Sequence, residues 1–376
     1  MKTKGRAVWR LAGLALVGLV LAACVGPTTQ RADLDPAAVA REAERQRELA
    51  LRDYHAQLGR LYDVGFPVLT ASVPLCGEDV TSVIGVRVHN KYDYEDEWRA
   101  TAQSTYALGE RLRFLHIAAG SPAAAAGLRA GEILVAIEGT ELHGKNAATV
   151  FSETAKDRLK GGPATLNMTV SGSDGVDRAV SLDPVQACNY DLQLELSDAV
   201  NAMADGKSIV VTSGMMLFAR NDTELATVVA HELAHNAMGH IDAMTLNAAG
   251  GLVIDILAAL AGVNTQGAFS KAASQAYSQE FEAEADYVGV YALALAGYDF
   301  DRSPDLWRRM AVRNPGAIDY ASSHPTAPAR FLGMEEAVSE IHRKQGAGAL
   351  LRPEIKPRTT HDAAENAPNP FKTVDE

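Results

Sequence analysis

Residues 221–241 read NDTELATVVAHELAHNAMGHI, a helix-forming run that is apolar on nearly every side yet carries two histidines and a glutamate at its centre. Asn221, Asp222 and Thr223 supply capping groups ahead of Leu225, so the helix is expected to begin near Asp222 and to run buried toward Ile241. His231 and His235 are four residues apart, hence ~40° apart around the axis and ~6 Å apart along it, on one face. Each polar side chain buried there without a partner would cost about 1–3 kcal/mol. An ion shared by both imidazoles removes that penalty, with Glu232 turned just far enough to meet a water beside the ion. A catalytic site of this type needs a third protein ligand and one open position. A second element therefore has to fold against this helix.

The candidate lies downstream. Residues Glu280–Ala296 have helical character, and within them Glu282 and Asp286 share a face while Glu284 points elsewhere. Glu282 follows His235 by enough chain for a second helix to turn back, which makes it the candidate third ligand. A different register would put Glu280 or Glu284 in that place. His240 falls beyond the metal face near the helix end and reads as structural, favourable with the C-terminal dipole.

HELAH followed by the ExxxD helix, with Ile209-Val210-Val211-Thr212-Ser213-Gly214 upstream and Ser323-His324-Pro325 and Arg330 downstream, resembles the gluzincin metallopeptidase family of the CAAX prenyl endopeptidases, HtpX and BepA. The likeness covers about residues 198–334. It implies a mainly α-helical zinc metallopeptidase domain acting on protein or peptide substrates, with one Zn2+ per chain held by His231, His235 and Glu282. It further implies Glu232 as general base, Asp286 as a carboxylate orienting a ligand imidazole, and Ile209–Thr212 as the edge strand that pairs with extended substrate. The proline after His324 biases that histidine to an extended loop. From there it either stabilises a developing oxyanion, assisted by Arg330, or occupies the open position on zinc and holds the protein latent. Both readings stand.

Between Cys76 and Cys188 the texture changes to short β-branched runs, Val83–Val88, Ile133–Ile137, Ala164–Val170 and Val176–Leu182, separated by Gly and Asp turns. Gly120-Ser121-Pro122-Ala123, Ala126-Gly127-Leu128 and Ala130-Gly131-Glu132-Ile133-Leu134 through Gly139 together resemble the core of bacterial PDZ domains. The likeness implies a groove between the strand around Ile84–Val88 and a helix over Ala147–Leu159, where a peptide adds as an extra strand. An acidic-aromatic insertion at Asn90–Trp98 departs from the pattern. A degenerate PDZ unit that only packs against its neighbour is the plainer alternative.

The chain begins with Lys2, Lys4, Arg6 and Arg10 and then the 13-residue apolar run Leu11–Ala23, too short to cross ~30 Å of hydrocarbon but suited to a signal peptide. Leu21-Ala22-Ala23-Cys24 resembles a bacterial lipobox, which implies removal of residues 1–23, lipidation of Cys24 and a tether over 24–36. With Val25 rather than Asp next, the likeness points to the outer membrane of a Gram-negative bacterium and to the periplasm. In that oxidising compartment Cys76 and Cys188 are expected to form a disulfide, with two buried free thiols as the alternative. Residues 37–75 form an N-terminal helical segment, solvated over Pro36–Tyr62, and the Pro-rich, charged residues 347–376 read as a disordered tail.

At 376 residues the chain exceeds one ~150-residue domain. The expected architecture is multidomain α+β: a small β-rich PDZ-like domain over 76–188, then a mainly α-helical gluzincin metallopeptidase domain over 192–346. The formal net charge of −12 becomes four units more negative once the basic leader is removed, which excludes sequence-independent nucleic-acid binding. Leu246–Val263 is long enough to span a membrane, but Asn247, Gly250, Gly251 and Asp255 weaken it, so a buried or lid-forming segment is expected, with membrane-interface contact as the second reading. Two functions compete. One is a lipid-anchored periplasmic zinc endopeptidase that degrades misfolded or unassembled envelope proteins, its PDZ unit aiding substrate selection. The other is a chaperone-like or latent binding lipoprotein whose zinc site is mainly structural; the presence of Glu232, which structure alone does not require, favours the first. The oligomeric state is not legible.

Overall fold

A computed structural model describes residues 29, 32–160, 162, 164–246, 266, 278–313, 328–354 and 356. Cys24 and the leader, residues 247–263 of the apolar stretch, His324 and the end of the tail lie outside the described residues. Among the described residues no helix is long and apolar enough to cross a membrane. Two units are distinguished, residues 1–47 and residues 48–376. The first holds the opening turns of helix α1 (Pro36–Ala71), which are solvated and carry local pairs such as Arg47 to Glu44.

The second unit is mixed α+β, with a β-rich region ahead of a helical one. The expected solvated helix is a correction in part. Leu58, Leu61, Val64, Val68 and Leu69 recur at three- and four-residue spacing past Tyr62, so the C-terminal half of α1 is a buried core helix that runs on to Ala71.

The β-rich region is built on an antiparallel sheet in the order β2 (Val86–His89), β3 (Leu112–Ile117), β4 (Ile133–Ile137), β6 (Leu166–Ser171) and β7 (Asp177–Leu182). A short β5 (Thr140–Glu141) pairs with β4. Alternation in β6 and β7 turns Leu166, Met168, Val170, Val180 and Leu182 inward, where they meet Phe114, Leu134 and Ile137 in one apolar core. Ser121 caps the one-turn α3 (Pro122–Ala125), with Pro122 at the first helical position. A groove of about 890 Å³ lies between Val83–Arg87 and α4 (Ala147–Leu159), with Phe151, Ala155 and Leu159 on its helical wall. Its remaining wall comes from outside the sheet, namely Tyr62 and Phe66 of α1 and Tyr190–Leu192.

The acidic-aromatic insertion forms a 3-10 turn and α2 (Asp96–Tyr106), and it sits away from the groove-lining residues. Tyr94, Trp98 and Tyr106 pack with Leu51, Ala102 and Leu108, and Tyr94 Oη lies 2.7 Å from His89 Nδ1 and 3.3 Å from His55 Nε2. The insertion thus docks the β-rich region onto α1.

Both chain ends of that region are joined by β1 (Val80–Val83) pairing with β8 (Val185–Cys188), and a Cys76–Cys188 disulfide with Cα atoms 5.7 Å apart reinforces the junction. With 112 residues of sequence separation, the chain-entropy model gives roughly 5 kcal/mol of stabilisation as a ceiling. The double substitution Cys76→Ser, Cys188→Ser should therefore lower stability to denaturant by about 2–5 kcal/mol. A loss under ~1 kcal/mol in a urea titration would mean that the β1–β8 ladder and the core hold the junction without the bond.

The helical region starts from a three-stranded sheet in the order β10 (Ala202–Ala204), β11 (Ser208–Thr212), β9 (Asp191–Glu195), with β9 parallel and β10 antiparallel to β11. Here the expected edge strand is corrected. Ile209–Thr212 is central, because Ala202–Ala204 occupies one side of it and Leu192–Glu195 the other. Among the described residues the edges of this sheet are β10 and β9.

The helices that follow are α5 (Ser213–Phe218), α6 (Asp222–Ala237), α7 (Ser278–Leu295), α8 (Ser303–Arg313) and α9 (Pro328–Gly346). They share one large core with the C-terminal half of α1. Residues 350–354 of the expected tail run onto this core instead. Leu351 packs against it, Pro353 is buried, and the Glu354 amide donates to Tyr287 Oη at 2.8 Å.

Candidate metal centre

Helix α6 begins as its sequence requires. The Asn221 side chain accepts from the Glu224 amide at 2.9 Å, and the Glu224 carboxylate is gripped by Arg309 of α8. Leu225 through Asn236 are all buried. Helix α7 crosses at close range because residue 289 is glycine. A Cβ there would lie 3.3 Å from the Ala230 carbonyl oxygen and from the His231 Cα, tighter than most real contacts. That approach delivers Glu282 and Asp286, one turn apart, to the two histidines.

The donor atoms converge. His231 Nε2 and His235 Nε2 are 3.2 Å apart, and they lie 3.4 Å from Glu282 Oε2 and Oε1 respectively. The three residues are at most 5 % exposed and form the one His/Cys/Asp/Glu group among the described residues in which ligand atoms all lie within 4.8 Å of one another. Zinc bonds of ~2.0–2.2 Å in tetrahedral arrangement require ligand atoms roughly 3.3–3.5 Å apart. The two imidazole nitrogens meet that spacing, each has a Glu282 oxygen at the same range, and the nitrogen, nitrogen and oxygen donors suit zinc.

Around the cluster, His231 Nδ1 is 3.1 Å from Asp286 Oδ1, and Arg330 of α9 spans both carboxylates, donating to Asp286 at 2.6 and 2.7 Å and approaching Glu282 Oε2 to 2.9 Å. Trp307 of α8 closes the side, its ring 5.0 Å from that of His231 and 5.7 Å from the Arg330 guanidinium. Burial alone would lower the His231 pKa, but Asp286 and Glu282 more than offset it and hold it up at about 10. Burial would raise Asp286, yet Arg330 and His231 keep its carboxyl below the usual range. His235 is lowered, by burial first and by the neighbouring His231 charge, against the pull of Glu282. The pocket's electrostatics favour positive charge at the cluster's centre.

Of the residues singled out in the sequence, His231, Glu232, His235, Glu282, Asp286 and Arg330 are brought together, all buried. Of the alternatives to Glu282, Glu284 turns away. Its Oε2 lies 3.1 Å from His240 Nε2. His240, expected to be structural at the helix end, folds back on His235 with the two Nδ1 atoms 3.0 Å apart. Trp307 was not visible in the sequence, since nothing local links it to a motif 70 residues upstream. His240 did carry a signal, a third histidine five residues after His235 and just past Gly239.

Residues 178–338 match the model of Peptidase family M48. The mitochondrial metalloendopeptidase OMA1 of Arabidopsis thaliana is 34% identical over 151 residues, covering 37% of this chain and 30% of that protein. OMA1 of Schizosaccharomyces pombe is 26% identical over 191 residues, or 49% of this chain and 57% of that protein. The beta-barrel assembly-enhancing protease of Yersinia pestis is 27% identical over 130 residues, or 31% and 27%. The chain thus spans from about a quarter to somewhat over half of these relatives' own lengths.

Proposed function

We propose that this chain, which carries a metallopeptidase domain of family M48 over residues 178–338, is a lipid-anchored periplasmic zinc endopeptidase that hydrolyses peptide bonds in misfolded or unassembled envelope proteins. The observation that carries the reading is the buried cluster of His231 and His235, on the helix that also bears Glu232, with Glu282 of α7: the two Nε2 atoms are 3.2 Å apart and a different Glu282 oxygen lies 3.4 Å from each. Zinc held there supplies a Lewis acid that lowers the pKa of water toward ~7 and polarises a scissile carbonyl.

The protein's own groups do the rest. Glu232, adjacent to His231 in sequence and 1 % exposed, accepts a proton from the attacking water at its carboxylate and delivers it to the leaving amine nitrogen. Asp286 Oδ1, 3.1 Å from His231 Nδ1, favours the ring proton on that nitrogen and so leaves Nε2 for ligation. Arg330, 6 % exposed, balances the charge of Asp286 and Glu282. The edge strand β10 gives an extended peptide a backbone ladder beside α6, which favours unfolded segments over folded ones.

Lipidation at Cys24 holds the enzyme at the outer membrane, and the β-rich region works as a PDZ unit. Its groove between Val83–Arg87 and α4 receives an exposed chain end or strand. Lys156 and Lys160 along that groove suit a ligand carboxylate.

The test is hydrolysis of an unfolded test protein by the zinc-loaded chain, beside a chelated sample and a chelated sample resupplied with zinc. Cleavage lost on chelation and regained with zinc is the expected result. Stoichiometric zinc without cleavage leaves a latched enzyme or a binding protein, and His324→Ala separates them: gained cleavage keeps the peptidase reading, and continued inactivity overturns it in favour of a binding role.

A further inference from the structure

We infer that His240 and Glu284 form a positioning relay for His235, setting its tautomer and ring plane through an intervening imidazole. The inference rests on the metal-site reading above and adds two residues to it.

The geometry begins with the backbone. Gly239, at φ 68, ends α6 in the left-handed region that glycine occupies without strain. The chain turns there, and the side chain five residues beyond His235 returns to it instead of continuing around the helix. His240 is 1 % exposed, and its ring stacks on Phe281 with centroids 4.7 Å apart and planes at 23°. The two imidazoles of His235 and His240 meet edge to face, 5.0 Å between centroids.

Hydrogen positions follow from what each nitrogen faces. His235 Nε2 points to Glu282 and His231, and a ligating nitrogen has to present its lone pair. The proton of His235 is then on Nδ1. At 3.0 Å that N–H donates to His240 Nδ1, which must be the bare nitrogen of its ring. The His240 proton is consequently on Nε2, where it donates to the Glu284 carboxylate at 3.1 Å. Only this order leaves both rings neutral and every nitrogen of the chain matched. Two N–H bonds in series end on a carboxylate, and each raises the basicity of the nitrogen beyond it.

The two ligand histidines are thus supported differently. His231 bonds directly to Asp286, which is buried and clamped by Arg330. His235 reaches a carboxylate only through His240, and the Glu284 side chain at the end of the line is 51 % exposed. One arm is enclosed in the core. The other runs to the surface of α7.

The experiment measures zinc affinity of the full-length protein by competition with a chromophoric chelator, together with the visible absorption of the cobalt-substituted form. His240→Ala should loosen zinc about 10–100-fold and alter the cobalt spectrum, because the His235 ring loses its anchor. His240→Asn keeps an acceptor oxygen near the Nδ1 position and should recover most of the affinity. Glu284→Ala, at a half-exposed position, should fall between the two with an unchanged circular dichroism spectrum. Wild-type affinity, within twofold, and an unchanged cobalt spectrum in a folded His240→Ala overturn the relay. If that variant does not fold, the same result from Glu284→Ala overturns it. If the wild-type protein itself takes up no zinc, the metallopeptidase reading fails, and the relay fails with it.

Discussion

Glu232→Gln should leave the protein folded and able to take up zinc, yet lower hydrolysis of an unfolded test protein by about 10²–10⁴-fold, the usual contribution of a general base. The amide is nearly isosteric with the carboxylate and occupies the same buried place on α6, so packing around Leu225–Asn236 is preserved. What is lost is the ability to take a proton. Equal zinc stoichiometry and an unchanged melting transition, measured on the same preparation as the rate, isolate that loss. Residual activity within tenfold of wild type would remove Glu232 from the mechanism and leave the buried carboxylate with a purely structural role.

The second large effect concerns stability. Arg330 is 6 % exposed and faces Asp286 and Glu282, which are 3 % and 4 % exposed. Arg330→Leu fills a similar volume but leaves two buried carboxylates without their guanidinium partner. Breaking a buried ion pair from one side costs about 3–5 kcal/mol. We expect a loss of that size for the metal-free protein in a urea titration, and a smaller loss with zinc present, because a bound dication offsets part of the same negative charge. Arg330→Lys should lie between, since it keeps the charge and gives up the two-pronged contact to Asp286. A loss below ~1 kcal/mol for Arg330→Leu would show that the carboxylates relax to water without the arginine.

Much of this was legible in the chain. Capping residues at 221–223, the apolar run after them and the four-residue spacing of His231 and His235 are local properties, and helix geometry converts them directly into one face of a buried helix. The same holds for Glu282 and Asp286 on α7 and for the alternating strands of the β-rich region. The even pair of cysteines also read correctly as a disulfide.

Other features depended on distance in sequence. The C-terminal half of α1 is buried because a sheet and a helical core cover it, and its own residues before Tyr62 look solvated. Ile209–Thr212 lies in the middle of its sheet because Asp191–Glu195 arrives on its far side, a neighbour that a strand's own composition does not announce. The aromatic insertion faces α1 and not the groove for the same reason.

The chain by itself determined which groups can meet a metal ion, since residue type and helical period decide which side chains share a face. Tertiary structure decided what surrounds them: Trp307 against the His231 ring, Arg330 across Asp286 and Glu282, and His240 with Glu284 behind the His235 imidazole. Periodicity is a property of a few consecutive residues, whereas the charge and hydrogen-bond partners of a buried group come from whichever helices the fold packs beside it.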